Sequence, residues 1–276
     1  MTNSLPDIFS SFQCSNCGET RADWYSANHS AHPFGSAGRL MCRGCRSIFP
    51  IRNGYLDFQP DSQEDVTPIQ ALMQCAPIVD FLYDDIWRPI GYFIASKHSF
   101  PKDVDRIAAL IPKHRGVILD LACGPGTFTR HIARRFPEST VIGFDLSPQM
   151  LERAVRLTKK ENLNNVFYMR GSALAMPFKP ESFDAVTCCG ALGLFTNQDQ
   201  AMSEISRVLK MRGDFVCQTT LGPRTPPLYV RVTARIMKFG YFYLDDLKER
   251  LYRFNFSVIA EEQSNINYIF HAAKTE

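Results

Sequence analysis

From about residue 115 the chain alternates short apolar runs with stretches whose apolar residues recur three and four positions apart. The runs predict strands near 116–121, 140–145, 165–170, 183–189 and 213–219, and the helical periods lie near 127–136, 148–161 and 199–210. Strands that alternate with helices in this way predict an α/β architecture around a parallel sheet. A further helical period near 243–254 precedes two strand-like runs at 256–262 and 266–273. Upstream, Phe81, Leu82, Ile86, Ile90 and Phe93 share one helical face, which Pro89 should interrupt. QPDSQEDVTP (59–68) is polar, acidic and proline-bounded and reads as a linker. Segment 220–243, apolar but with three prolines and two glycines, is expected to lie as a lid over a substrate.

The first strand leads to Asp120 and then to the turn Ala122-Cys123-Gly124-Pro125-Gly126, which opens a helix. In a parallel sheet, ligands bind beyond the carboxyl ends of the strands, and glycines there let backbone amides approach them without intervening side chains. The second strand ends in Asp145, 21 positions after Gly124, where a carboxylate accepts hydrogen bonds from ribose hydroxyls. A nucleoside cofactor is the expected ligand; the bland alternative is a strand-to-helix turn that carries two glycines for structural reasons. The dinucleotide pattern G-x-G-x-x-G fits poorly, because its frame here reads Ala122, Gly124 and Thr127.

The pattern D-x-G-x-G-x-G fits better, with Asp120, Ala122, Gly124 and Gly126 in its four places, and it resembles that of the class I S-adenosylmethionine-dependent methyltransferases. FDLSPQMLERA (144–154) resembles that family's ribose loop, GSALAMPFKPESFDAV (171–186) its adenine loop and fourth strand, and SEISRVLKMRGDFV (203–216) its helix and fifth strand. The resemblance covers residues 115–220 in the right order. It implies a Rossmann-like sheet of seven mostly parallel strands, closed by an antiparallel hairpin and holding S-adenosylmethionine. The pocket it implies comprises Asp120, Ala122, Gly124, Gly126, Asp145, Leu146, Met150, Ser172, Ala173 and Cys189. Three departures stand out. Ala122 replaces a glycine beside the expected methionine tail, Ser172 replaces an aspartate facing the adenine amine, and Met211-Arg212 replaces Lys-Pro.

At 276 residues and 45% hydrophobic, the chain can bury one good-sized core plus a small accessory module. A net charge of +3 neither demands nor excludes a nucleic-acid partner. No run approaches the roughly 18 uncharged apolar residues of a membrane span, and MTNSLPDIFSSF lacks the basic start of a secretory signal, so a cytoplasmic location is expected. Of nine cysteines, Cys14, Cys17, Cys42 and Cys45 form two C-x-x-C pairs separated by 24 residues, the spacing of a four-thiolate zinc site. Such a closed shell holds a fold and leaves no position for a substrate; lost metal or a redox role are the alternatives. His29 and His32, between the pairs, are expected to face solvent. Cys75, Cys123, Cys188, Cys189 and Cys217 lie in or beside apolar runs, where reduced cysteine acts as a small hydrophobe.

CSNCGE (14–19) and MCRGCRSIFPIRNGYLDF (41–58) resemble the zinc ribbons that head some methyltransferases, bacterial large-subunit rRNA guanine methyltransferases among them, and small zinc proteins that activate methyltransferases. Arg39, Arg43, Arg46 and Arg52 make this module locally basic, as a solvated surface or an RNA contact. FLYDDIWRP (81–89) resembles a run in plastid and cyanobacterial ribbon-methyltransferases. That likeness implies that Tyr83 and Arg88 cap the cofactor's carboxylate; the other reading is aromatic helix packing with a surface arginine. The domains expected are a ribbon at 1–58, a linker and helical cap at 59–112 and a methyltransferase domain at 113–276, with the lid inserted at about 221–242. CCGALGL (188–194), where relatives place a reacting polar group, is apolar, and His98, His114 and His131 receive no catalytic role. With 21 Phe and 10 Tyr, the chain favours a small lipophilic or aromatic acceptor. The alternatives are an rRNA guanine methyltransferase gripping RNA through the ribbon and a cofactor-binding scaffold that transfers nothing.

Overall fold

A computed structural model of the chain describes residues 7–26, 38–59, 100–112, 116–222 and 242–275. Most of the expected linker, cap and lid, together with Tyr83, Arg88, His29, His32, Cys75, His98 and His114, lie outside the described residues. In chain order the elements are β1 (Ala22–Ser26), β2 (Gly38–Cys42), β3 (Ile48–Arg52), β4 (Tyr55–Asp57), α1 (Phe100–Leu110), β5 (Val117–Leu121), α2 (Thr127–Arg135) and β6 (Thr140–Asp145). They continue as α3 (Pro148–Lys160), β7 (Val166–Arg170), β8 (Phe183–Cys189), α4 (Gln198–Val208), β9 (Leu209–Thr220), α5 (Leu244–Arg253), β10 (Phe256–Ser264) and β11 (Asn267–Lys274).

The strands form one sheet in the order β1-β2-β3-β4-β7-β6-β5-β8-β9-β11-β10. From β4 to β9 all neighbours run parallel, and β11 and β10 close the far edge antiparallel. The seven strands from β7 to β10 are those the sequence pattern predicts. One boundary differs. The step from α4 to β9 comes at Leu209 and not near 213, because Leu209 is already extended and pairs with Phe183. A register irregularity between Phe183 and Ala185, with Arg212 at φ 60, takes up the extra residues as a bulge does.

Successive residues of the central strands enter opposite cores. Ile118, Val141, Ala185, Val216 and Ile269 face α1, α2 and α3, while Leu119, Ile142, Val186, Phe215 and Phe270 face α4 and α5. A parallel strand buried on both sides must be apolar at nearly every position, hence runs such as VILDL with no polar alternation. The N-terminal module joins the second of these cores: Phe9, Phe12, Trp24, Leu40, Phe49 and Phe58 belong to the same buried cluster as Phe144, Phe178 and Phe183. Phe49 and Phe58 pack tilted with ring centroids 5.0 Å apart, and Phe178 meets Phe183 edge to face at 4.9 Å. A four-stranded module this small buries too little surface to fold on apolar packing alone, so it shares its core and hydrogen-bonds its last strand to β7.

Gly143 in β6 lies flat under a tyrosine, where an added Cβ would fall 2.5 Å from Tyr168 Cε1. Gly143→Ala should lower stability by about 1–3 kcal/mol, the usual cost of overpacking, read as a shift in urea midpoint at constant slope.

Candidate cofactor pocket and metal centre

Three residues of the turn after β5 are left-handed: Ala122 (φ 55), Gly124 (φ 55) and Gly126 (φ 73). The two glycines do different work. A Cβ on Gly124 would meet nothing within 4 Å, so this peptide presents an open face. A Cβ on Gly126 would collide with the Tyr168 hydroxyl and come within 3.0 Å of Ala154 Cβ, so that glycine lets α2 sit down on the sheet. Ala122 carries a methyl group in a conformation that costs an L residue roughly 1–2 kcal/mol. Gly126 caps α2 without a side-chain hydrogen bond, and Thr127 Oγ1 is buried beside it without a hydrogen-bond partner among the described residues. The first turn of α2 therefore offers donors and an unused hydroxyl next to the open face.

The two carboxylates also divide. Asp120 is 1% exposed and wholly engaged inside, accepting from Thr129 Oγ1 at 2.5 Å and Thr187 Oγ1 at 2.8 Å. It anchors the turn to α2 and β8. Asp145 lies at the surface of the crevice and ties two loops together, Oδ2 accepting from the Gly124 N–H at 2.8 Å and Oδ1 from the Ser147 N–H at 2.9 Å. Burial pushes its carboxyl pKa up, against the lowering pull of those N–H donors. Leu146 and Met150 follow it, half-buried, and Ser147 caps α3 by accepting from the Met150 N–H at 3.4 Å.

Ser172 is buried, and its Oγ accepts from the Leu174 N–H at 3.1 Å, closing the adenine-type loop on itself; Ala173 beside it is half-buried. From α4, Glu204 accepts the Met176 N–H at 2.6 Å, and Arg207 donates to the carbonyls of Phe178 at 2.6 Å and Met176 at 3.0 Å. Cys189 ends β8 at 7% exposure and pairs with Gln218 across the β8/β9 ladder. Cys123 is buried and its thiol pushed far up by desolvation, so it is a neutral packing group. Burial likewise lowers the pKa of His131, which lies 3.3 Å from Asp105 on the α1 side. Sequence reasoning passed over Thr129, Thr187, Glu204, Arg207 and Arg170. Only Arg170, a lone charge closing the run VFYM, carried a local signal.

The four expected cysteines converge, their sulfurs all within 4.8 Å of one another. Cys14 and Cys45 Sγ are 3.6 Å apart, as are Cys17 and Cys42 Sγ, close to the about 3.8 Å edge of a tetrahedron with metal–thiolate bonds of about 2.3 Å. Both pairs use the same turn: the N–H of Gly18 (φ 76) returns to the Cys14 carbonyl and that of Arg46 (φ 62) to the Cys42 carbonyl. Burial raises Cys14 to about 12, whereas the Ser47 hydroxyl, with its backbone N–H, lowers Cys45 to about 6. Four of the five arginines of this module have partners: Arg21 on Glu19 at 2.9 Å, Arg43 on Asp23 at 2.6 Å, Arg52 at 3.7 Å from Asp57, and Arg39 over the Tyr25 ring at 5.0 Å.

Residues 118–213 match a family described as a methyltransferase domain. An uncharacterized chloroplastic methyltransferase of Arabidopsis thaliana is 31% identical over 76% of this chain and 63% of its own length. A demethylmenaquinone methyltransferase of Lactococcus lactis subsp. lactis is 35% identical over 62% of this chain and 64% of its own. The chain thus spans somewhat under two thirds of these curated relatives. Among solved structures, phosphoethanolamine N-methyltransferase 2 of Haemonchus contortus in complex with S-adenosyl-L-methionine superposes with a TM-score of 0.64 at 20% identity, covering 79% of this chain and 61% of that one. Geranyl diphosphate C-methyltransferase from Streptomyces coelicolor A3(2) does so with a TM-score of 0.60 at 14% identity, covering 76% and 88%. At such identities these structures speak for the fold, and the matched domain and curated relatives for the family. Together with the strand order and the open glycine turn, they identify residues 118–213 as a class I S-adenosylmethionine-dependent methyltransferase domain, joined here to an N-terminal four-cysteine module.

Proposed function

We propose that the protein transfers the methyl group of S-adenosylmethionine to a small lipophilic acceptor of aromatic or quinone-like character. The observation that carries this reading is the open face of Gly124 beside the Asp145 carboxylate, with the unused Thr127 hydroxyl at the same helix start. When bound, the sulfonium supplies an activated methyl group for in-line displacement. The chain's part is then to bind, orient and exclude water. Asp145 would accept ribose hydroxyls, Gly124 and Ala122 would border the methionine tail, Ser172 would serve the adenine amine, and Leu146, Met150, Ala173 and Cys189 would supply apolar walls. Tyr83 and Arg88 are assigned to the cofactor's carboxylate end, where a planar guanidinium bonds both oxygens. No general base is assigned.

The acceptor class is supported by the segment after β8, where Ala191, Leu192 and Gly193 are buried and apolar in place of a reacting polar group. The demethylmenaquinone methyltransferases among the relatives are named for a quinone-type acceptor, which suits such a wall. Arg43 and Arg52 have partners within the module yet stay 55% and 48% exposed, so contact with RNA through the ribbon stands as the second reading. The four-cysteine centre is assigned to zinc in a structural role, since four thiolates leave no open coordination position. Reduced thiols suit a cytoplasm or a plastid stroma alike, and no helix among the described residues is long and apolar enough to cross a membrane.

Calorimetry should show binding of S-adenosylhomocysteine and no heat with a nicotinamide dinucleotide, and Asp145→Ala should weaken binding at least about tenfold, as the loss of charge-assisted hydrogen bonds does. With methyl-labelled cofactor and a cell extract, label should enter the lipid and small-molecule fraction. Label in RNA would replace this reading with the rRNA one, and label nowhere would leave the scaffold. Ala122→Gly should tighten cofactor binding and raise stability by up to about 1 kcal/mol, since relief of the left-handed strain exceeds the glycine's extra unfolded entropy. Elemental analysis should find one zinc per chain, and Cys42→Ser should abolish it and lower the thermal midpoint by several degrees.

A further inference from the structure

Arg170, the last residue of β7, touches both the ribbon and the ribose loop. Its Nε donates to the Leu146 carbonyl at 3.0 Å, on the residue directly after Asp145. From the same guanidinium, NH1 donates to the Gln59 carbonyl at 2.7 Å and lies 3.3 Å from each oxygen of Asp57, at the end of β4. The backbone repeats this pattern: Phe58 N–H donates to the Arg170 carbonyl at 3.0 Å, and Gly171 N–H to the Asp145 carbonyl at 3.1 Å. Asp57 is 1% and Arg170 14% exposed at the side chain, so the ion pair is largely shielded from solvent. Two consecutive carbonyls, those of Asp145 and Leu146, are thus held from the end of β7, and the arginine that holds one of them is itself held by the ribbon. A second clamp lies along the adenine-type loop, where Gln13 N–H donates to the Pro177 carbonyl at 3.0 Å and Lys179 N–H to the Ser11 carbonyl at 2.8 Å.

We propose that Arg170 is a positioning residue for the cofactor: held by Asp57 and Gln59, it fixes the Leu146 peptide and thereby the aim of Asp145, so that the ribbon's last strand sets cofactor affinity. This rests on the reading of the crevice as an S-adenosylmethionine pocket. The planar fork matters because it reaches acceptors on two sides at once, which a lysine ammonium on a flexible stem does not. The ribbon then acts as a stiffener of the pocket, built into its sheet edge.

The test is calorimetric titration of the full-length, metal-loaded protein with S-adenosylhomocysteine. Wild type is compared with Arg170→Lys, Arg170→Met, Asp57→Asn and the Asp57→Asn/Arg170→Met double variant, with thermal midpoints recorded for each. Each single variant should bind about tenfold more weakly, and the double variant no more weakly than Arg170→Met, because both changes break one link. Arg170→Lys, which keeps the charge opposite Asp57, should recover much of the thermal midpoint and little of the affinity. Leu247→Ala, in the α5 core away from the crevice, should lower the midpoint and leave affinity within twofold. Folded Arg170→Lys and Asp57→Asn proteins that bind like wild type would overturn the proposal, as would strictly additive losses in the double variant. Failure of the wild type itself to bind would sink the pocket reading, and this one with it.

Discussion

Burial of both faces of a parallel sheet is the constraint from which the rest follows. With α1, α2 and α3 on one side and α4, α5 and the ribbon on the other, the central strands have no polar face, and their side chains only hold the core. Chemistry is confined to the strand ends. The polar groups that do useful work gather where β5, β6 and β7 run out: Asp120, Asp145 and Arg170 are each the last or next-to-last residue of a strand. Brought close by the sheet spacing, these ends tie to loop backbone, and the Gly124 peptide keeps an open face beside them.

Within that crevice, groups of the same chemical type are separated by direction. Asp120 points into the fold and accepts from two threonine hydroxyls, while Asp145 points along the rim and, among the described residues, accepts backbone N–H groups. An anionic carboxylate has room for further donors, so Asp145 can take ribose hydroxyls without giving up its loop contacts. Gly124 and Gly126 divide likewise, one bordering space and the other bordering Tyr168. The left-handed alanine between Asp120 and Gly124 shows that the turn geometry is imposed by the surrounding sheet and α2, since alanine on its own would avoid it.

The N-terminal module belongs to the same structure in a stronger sense than a tethered appendage. Its aromatic residues complete the α4/α5-side core, its last strand covers the edge that β7 would expose, and its backbone grips the loop between β7 and β8. The ion proposed for its four converging cysteines would supply what so small a module lacks in apolar area, and Phe12, Phe49 and Phe58 pack on one another beside the sheet. Its Arg52 serves this packing too, facing Asp57 from the ribbon side while Arg170 faces it from the end of β7.

Much of this was legible along the chain. The strand and helix periods, the turn from Asp120 to Gly126, Asp145 at its spacing and the two cysteine pairs are local patterns, and local patterns survive in sequence because backbone conformation and side-chain period are set by near neighbours. What lay beyond reach were contacts between residues far apart in sequence. That Asp57 meets Arg170, 113 positions away, that Thr187 completes Asp120 from 67 away, and that ribbon and sheet share one core are decided by where the strands land in three dimensions. A buried ion pair or a shared aromatic cluster leaves no period in sequence: its energy is set by close approach and by desolvation, which costs the ions and favours the rings, and both exist only once the sheet has brought the partners together.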